Sequence, residues 1–330
     1  MTARSLAAFQ GPLAREFDAF LAFRQDLATC HEHLRVALRH LDRFLGQHAP
    51  DVHDLTQSLL DAWMATLADR GARTRRNYFR VARQVCIFRA RANPSAFIPD
   101  AISCPRVTAR FRPYIYSEQE IRALIKAAAS LSGALRPHTY VTLLLLLYTT
   151  GLRIGEAIRL QLGDFDREQA VLHIRAGKFR KARLVPITTT LRVRLDRYLE
   201  QRQEAGAPTH ADAPLFWSPR RGPYSLIGVQ SGISRLLRAV CGKPPGRGTG
   251  PREHDIRHAF AVHRLLHWYR DGVDVQTKLP LLATYLGHCT FLSTQFYLTA
   301  TPELLAEASR RFHAGFASVV YLPEDPYDIR

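Results

Sequence analysis

The chain has 330 residues, 46 % of them apolar, which is enough for two packed interiors, so two domains are expected. Its 46 Lys and Arg against 29 Asp and Glu leave a formal charge of +17, which favours a polyanionic partner, nucleic acid foremost. Five scattered cysteines with no C-x-x-C pair argue against a disulfide framework or a zinc module, and the longest apolar run, around "TLLLLLY", is far short of the ~20 residues that span a bilayer. With no signal-peptide core at the N-terminus, the expectation is a cytoplasmic protein associated with the nucleoid and not with a membrane.

From Leu13 to about Arg91, apolar and charged positions alternate at helical spacing, broken at "GQHAPDVHD" and "DRGART", and this predicts four helices. In the fourth, Thr74 can cap, while Arg76, Arg80 and Arg83 share a face at three- and four-residue steps, with Arg73 just ahead of them. A solvated charged face is the plain reading of such a run. The near absence of acids between Ala72 and Asn93 turns it toward DNA contact. The segment "NPSAFIPDAISCPRVTARFRP" holds four prolines and no helical period, and reads as the connection between domains, with Arg106, Arg110 and Arg112 suited to a phosphate backbone. The expected divisions are residues 1–105 for an N-terminal helical DNA-binding domain, 106–113 for the linker and 114–330 for a second domain with a C-terminal tail.

That second domain opens with a capping box, Ser117 with Glu120. Helices run to about Leu160, then "AVLHIRA" and "ARLVPI" predict a hairpin around Gly177 and Lys178. A Gly/Pro-rich loop, "CGKPPGRGTGPRE", precedes further helices, and Pro280 is expected early in one of them. The fold class predicted is mainly α with a small β-sheet.

Four patches of the second domain carry chemistry: "TGLRIGE" with Arg153 and Glu156, "AGKFRKARLVPI" with Lys178, "HDIRHAF" with His254 and Arg257, and "LGH" followed by Tyr297. Gly151 can end one helix and leave Arg153 at the start of the next. His254 and Arg257, three apart, should project from one helix face. Two guanidiniums supply fixed, permanently charged donors to the non-bridging oxygens of a phosphodiester as it is attacked. Taken singly these residues have ordinary readings: a surface arginine, a capping histidine, a turn lysine, a glutamate paired to an arginine. Their order and spacing together favour one site.

With these motifs the chain resembles the tyrosine recombinases, the phage-integrase and Xer-like family, across both domains. The family's nucleophile is a tyrosine nine residues after the histidine of a Leu-Gly-His turn, as Tyr297 follows Leu286, Gly287 and His288. The resemblance implies that Arg153, Lys178, His254, Arg257, His288 and Tyr297 form the catalytic set, that Glu156 supports it, and that two domains clamp duplex DNA. It further implies strand cleavage through a 3′-phosphotyrosyl intermediate without cofactor or metal, by a homo- or hetero-tetramer. On that pattern His254 accepts the tyrosine proton, Lys178 protonates the leaving 5′-oxygen and His288 binds the phosphate. The "YLTATPELL" that follows the tyrosine resembles transposon-borne members of the family.

Three other readings stand beside this one. A DNA-binding regulator without catalysis would not need the lysine, the arginines and the tyrosine together. A metal-dependent nuclease is suggested by His254, His258, His263 and His267 at helical spacing, but lacks convergent carboxylates or thiolates. A type IB topoisomerase shares the chemistry, and the two-domain layout favours recombination over it.

Overall fold

The computed structural model describes residues 9–26, 32–107, 113–175, 182–242, 250–288, 292–299 and 302–320. The chain divides into two compact units, Met1–Phe111 and Arg112–Arg330.

The first unit contains α1 (Ala14–Asp26), α2 (Glu32–His48), α3 (Gln57–Ala65) and α4 (Ala72–Arg89). Phe17, Leu38, Leu41, Leu45, Leu60 and Trp63 close its core, and the Trp63 indole donates to Nδ1 of His40 at 2.9 Å. Thr56 caps α3 by accepting from the Leu59 amide. Thr74 does not cap α4: the helix begins at Ala72 behind Gly71, whose carbonyl accepts from the Thr74 amide, so Thr74 lies within the first turn. Asp54 ties the loop before α3 to both the end of α4 and the segment beyond it, pairing with Arg89 and accepting from the Phe97 amide at 2.9 Å.

The second unit starts with α5 (Glu118–Ala129), whose Ser117/Glu120 capping box is formed as the sequence predicts. Next come the apolar α6 (Arg136–Thr150) and the short α7 (Ile154–Ile158). α6 packs against α5, α8 (Thr189–Glu204) and α10 (Asp255–Arg270), which is why its sequence is apolar nearly all round. A three-stranded antiparallel sheet is built from β1 (Phe165–Asp166), β2 (Val171–Ile174) and β3 (Arg183–Pro186), with Val171 opposite Pro186 and Ile174 opposite Arg183. β1 is an addition to the predicted hairpin. The residues joining β2 to β3, including Gly177 and Lys178, lie outside the described residues.

A second small hairpin, β4 (Trp217–Ser218) with β5 (Gly222–Pro223), leads into α9 (Leu226–Cys241). α11 (Val275–Leu286), α12 (Leu292–Gln295), a 3-10 turn over Phe296–Thr299 and α13 (Pro302–Val320) complete the unit. Pro280 is not in the first turn but inside α11, at its sixth residue, where it has no N–H to give to the Gln276 carbonyl. Among the described residues no helix is long and apolar enough to cross a membrane.

Candidate active site

The site is built where α6, α10 and α11 end or begin. Gly151 closes α6 in the left-handed region, with φ of 62°. A Cβ there would lie 2.5 Å from the Phe260 ring and 2.7 Å from a Leu286 methyl, so glycine is required for both its conformation and its close contacts. Gly287 closes α11 in the same way, with φ of 67°.

These two helix ends hold Arg257. Buried to 2 % exposure in the first turn of α10, it donates to the carbonyls of Gly151 at 2.6 Å and Leu286 at 2.7 Å. Carbonyls at helix C-termini lack intrahelical partners, and one planar guanidinium satisfies two of them. Burial, and then the charge of Arg153, bring the Arg257 pKa down to about 10.

Arg153 is the N-cap of α7, and its amide donates to Glu156 at 3.0 Å. Its guanidinium donates to Glu156 at 2.9 Å and to the Gly287 carbonyl at 3.3 Å. Glu156 also accepts from both terminal nitrogens of Arg183, at 3.2 and 2.9 Å, and Arg183 in turn donates through Nε to the Tyr285 carbonyl. Burial pushes the Glu156 carboxyl up, but hydrogen bonds and charge from Arg183, then Arg153, outweigh it and hold the group at about 2.

Tyr297 reaches this cluster from the 3-10 turn and is 2 % exposed. A 2.9 Å hydrogen bond joins its hydroxyl to Nδ1 of His258. His288 stacks on the phenol ring with centroids 6.1 Å apart, and its Nδ1 is 2.6 Å from the Thr294 hydroxyl. Burial raises the Tyr297 pKa, while the charges of Arg257 and Arg153 and a hydrogen bond from Arg257 pull it back. Burial and the surrounding cations, Arg257 first, bring His288 down to about 3.

Six of the residues singled out in the sequence therefore converge here: Arg153, Glu156, His254, Arg257, His288 and Tyr297. One detail differs. α10 begins at Asp255, so His254 is its N-cap, with helical backbone angles and an exposed position, while Arg257 three residues on is buried and close enough for its charge, after burial, to lower the His254 pKa. The local cause is Asp255, fully buried and holding the Arg252 amide and guanidinium. Lys178 lies outside the described residues, as do Arg110 and Arg112. On α4, Arg73 and Arg80 are exposed and Arg76 and Arg83 half-buried, and Arg106 is exposed.

Two residues that matter to this geometry were not among the predicted set. Arg183 read as an ordinary strand residue, and its facing Glu156 is visible only once β3 is placed beside α7. His258 read as one of a helically spaced histidine series. That series splits between two environments: His263 is 2.8 Å from the Tyr148 hydroxyl, whereas His258 faces Tyr297. Among the described residues no group of three or more His, Cys, Asp or Glu side chains is placed to hold a metal ion.

A second concave surface of about 550 Å³ lies near the start of α9, lined by Arg136, Arg220, Arg221 and Arg235 together with Tyr140 and Tyr224, and no carboxylate contributes to its lining.

Comparison with known proteins bears on the whole chain. Residues 115–303 match the family model of the phage integrases. The protein y4rB of Sinorhizobium fredii, whose name is that of an integrase/recombinase, is 38 % identical over 275 residues, which are 80 % of this chain and 85 % of that one. The tyrosine recombinase XerA of Pyrococcus horikoshii is 32 % identical over 197 residues, 59 % of this chain and 60 % of its own. In fold, the Tn1549 transposon integrase in complex with transposon right end DNA superposes with a TM-score of 0.66 at 14 % identity, covering 92 % of this chain and 99 % of the other. With a family model spanning more than half of the sequence and a relative of this identity along four-fifths of it, the chain belongs to the phage integrase family of tyrosine recombinases.

Proposed function

We propose that this site-specific DNA recombinase cuts and rejoins duplex DNA with Tyr297 as nucleophile. The observation that carries the reading is the placement of Tyr297, buried, with its hydroxyl 2.9 Å from His258 and its pKa pulled back by Arg257 and then Arg153. The phenol oxygen attacks the scissile phosphorus, the bond to the 5′-oxygen breaks, and a 3′-phosphotyrosyl intermediate remains. A 5′-hydroxyl from the partner strand then attacks the same phosphorus and releases the tyrosine, so the phosphodiester is conserved in energy.

Arg153 and Arg257 act as the donors to the non-bridging oxygens. Arg257 has N–H groups beyond the two engaged with Gly151 and Leu286, and its position is fixed before substrate arrives. His288 and the exposed His254 hydrogen-bond the phosphate, Lys178 protonates the leaving 5′-oxygen, and Glu156 positions Arg153. Arg73, Arg76 and Arg80 of α4 and Arg106, Arg110 and Arg112 contact the DNA backbone, whereas Arg83 is engaged with the Pro99 carbonyl, and the arginine-lined cavity beside α9 supports a polyanionic ligand on the second unit as well. Exchange between two duplexes implies an assembly of four protomers, alike or mixed, acting at the nucleoid, on a mobile element or a chromosomal site.

The test is a suicide DNA substrate that traps the covalent adduct. Tyr297→Phe should abolish the adduct and leave DNA binding near normal, and an adduct formed by that variant would end the assignment. The acid is tested separately. Lys178→Ala should cleave ordinary DNA ~100- to 10,000-fold more slowly, yet cleave a 5′-bridging phosphorothiolate, whose sulfur leaves without a proton, almost as fast as wild type. Rescue of Lys181→Ala instead would move the role to Lys181.

A further inference from the structure

The nucleophile needs somewhere to put its proton, and two histidines of α10 and its N-cap stand near it. They are not equivalent. His254 is exposed, with its ring perpendicular to that of His258 at 5.0 Å between centroids. His258 lies one helical turn deeper, and its Nδ1 is 2.9 Å from the Tyr297 hydroxyl. The direction of that hydrogen bond follows from the neighbours. The nearby Arg257 guanidinium favours the charged form of the phenol oxygen, an arrangement in which that oxygen offers its electron pairs to the cation and its hydrogen to His258. In that arrangement Nδ1 is the unprotonated nitrogen of a neutral ring.

Its surroundings keep it neutral. Burial comes first, followed by electrostatic opposition from His254, Arg257, Arg252 and His288, and together they bring His258 down to about 3. An incoming phosphodiester adds a negative charge among Arg153, Arg257 and His288, and that charge offsets the repulsion which opposes a positive imidazole in the empty site.

We propose that His258 is the catalytic base for Tyr297, taking the phenolic proton on Nδ1 as the bond from the phenol oxygen to phosphorus forms. The phosphorus to 5′-oxygen bond breaks in the same step, and the departing oxygen receives its proton from the separate acid. On rejoining, the 5′-hydroxyl gives its proton to that acid's conjugate base, and His258 returns its own to the tyrosine, so protons balance over the cycle. His254 is left as a phosphate contact. The inference rests on Tyr297 being the nucleophile and goes beyond that reading, since the sequence alone points to His254.

Single-turnover cleavage of the suicide substrate tests it, with DNA affinity measured alongside. His258→Asn keeps an acceptor oxygen near Nδ1 but has no basicity, and should cleave ~100- to 10,000-fold more slowly with little change in affinity. Placing a ring-fluorinated, more acidic tyrosine at position 297 should restore at least ~10-fold in that variant and little in wild type, because an acidic phenol needs less help. In His258→Ala, added imidazole should restore part of the rate. His254→Ala should be slow and insensitive to both treatments. Cleavage by His258→Asn at or above the wild-type rate would overturn the inference, the bond then only holding the phenol in place. A slow variant that ignores both phenol acidity and imidazole would overturn it too, since packing alone would explain the loss. Each result is read with a wild-type adduct on Tyr297 in hand; an adduct persisting in Tyr297→Phe would instead fail the nucleophile reading.

Discussion

On α4, Arg73 and Arg80 are exposed, whereas Arg257 at the start of α10 is 2 % exposed with a backbone carbonyl on each terminal nitrogen. Side-chain chemistry is the same in both places, so surroundings set the difference. An exposed guanidinium on a helix face gains from a phosphate mostly by releasing counterions, and its contribution fades as salt rises. A buried one is insulated from salt and cannot wander, which makes it a poor source of affinity and a good source of aim. Between these extremes stand Arg83, whose Nε donates to the Pro99 carbonyl at 2.9 Å, and Arg89, which pairs with Asp54. The first unit thus uses some of its arginines as struts.

This contrast can be broken most severely at Arg257. Arg257→Ala should lower single-turnover cleavage by at least ~100- to 1,000-fold, the cost of losing one fixed transition-state donor, while changing the salt dependence of binding little. Arg257→Lys should recover little, because one ammonium cannot span the Gly151 and Leu286 carbonyls in the plane that the guanidinium does. A lysine variant with near wild-type cleavage would show that charge alone suffices.

Next comes the carboxylate that holds the cluster together. Glu156→Gln leaves Arg153 and Arg183 facing a neutral amide, and unfolding titrations should show a loss of ~3–5 kcal/mol, as for a broken buried pair. Its pH signature has a definite sign. Glu156 stays ionised in the fold down to about 2 against an ordinary 4.5, so its contribution is complete above 4.5 and is lost as pH falls toward 2. His288 stays neutral down to about 3 against 6.5, so protons favour the unfolded chain from pH 6.5 downward and stability is again lost on acidification. His288→Asn should therefore flatten the stability curve between pH 6.5 and 4.5, and Glu156→Gln should flatten it below 4.5. Identical curves for wild type and variants would contradict both shifts.

Smaller effects belong to α4. Replacing Arg76 and Arg80 by alanine should reduce the slope of log affinity against log salt by ~0.9 for every phosphate left without its arginine, measured by equilibrium binding at several salt concentrations. An unchanged slope would return that face to plain solvation. Arg83→Gln is the smallest change expected: ~1 kcal/mol of stability from its hydrogen bond to Pro99, with the slope unaltered. A slope change there would make Arg83 a DNA-binding residue after all.

Much of this site is legible in the sequence. The interval from His288 to Tyr297, the Gly151 that ends α6 before Arg153 and the Ser117 capping box are local patterns, each written within a few residues. Local patterns also mislead where two signals compete. Thr74 is a good capping residue, but Gly71 lies one step before the helical run and takes the place, and Pro280 sits inside a helix whose tertiary packing holds it there. The unpredicted strand β1 is two residues long, too short to show alternation. His258 and Arg183 are out of reach for a different reason: their partners are 39 and 27 residues away, and nothing local says which side of α10 or β3 turns toward them. The adjacent His258 in "HDIRHAF" is the one available signal, an extra imidazole beside the His-x-x-Arg pair.

The Gly151 carbonyl ends a helix and also holds Arg257, and the Leu286 carbonyl does the same from the other side. Fraying at either helix end would release the guanidinium at the moment it spoiled the fold. A thermally loosened copy thus loses its aim while it still carries its tyrosine. For an enzyme that opens a DNA backbone, this arrangement is a safety catch: aim and fold are lost together.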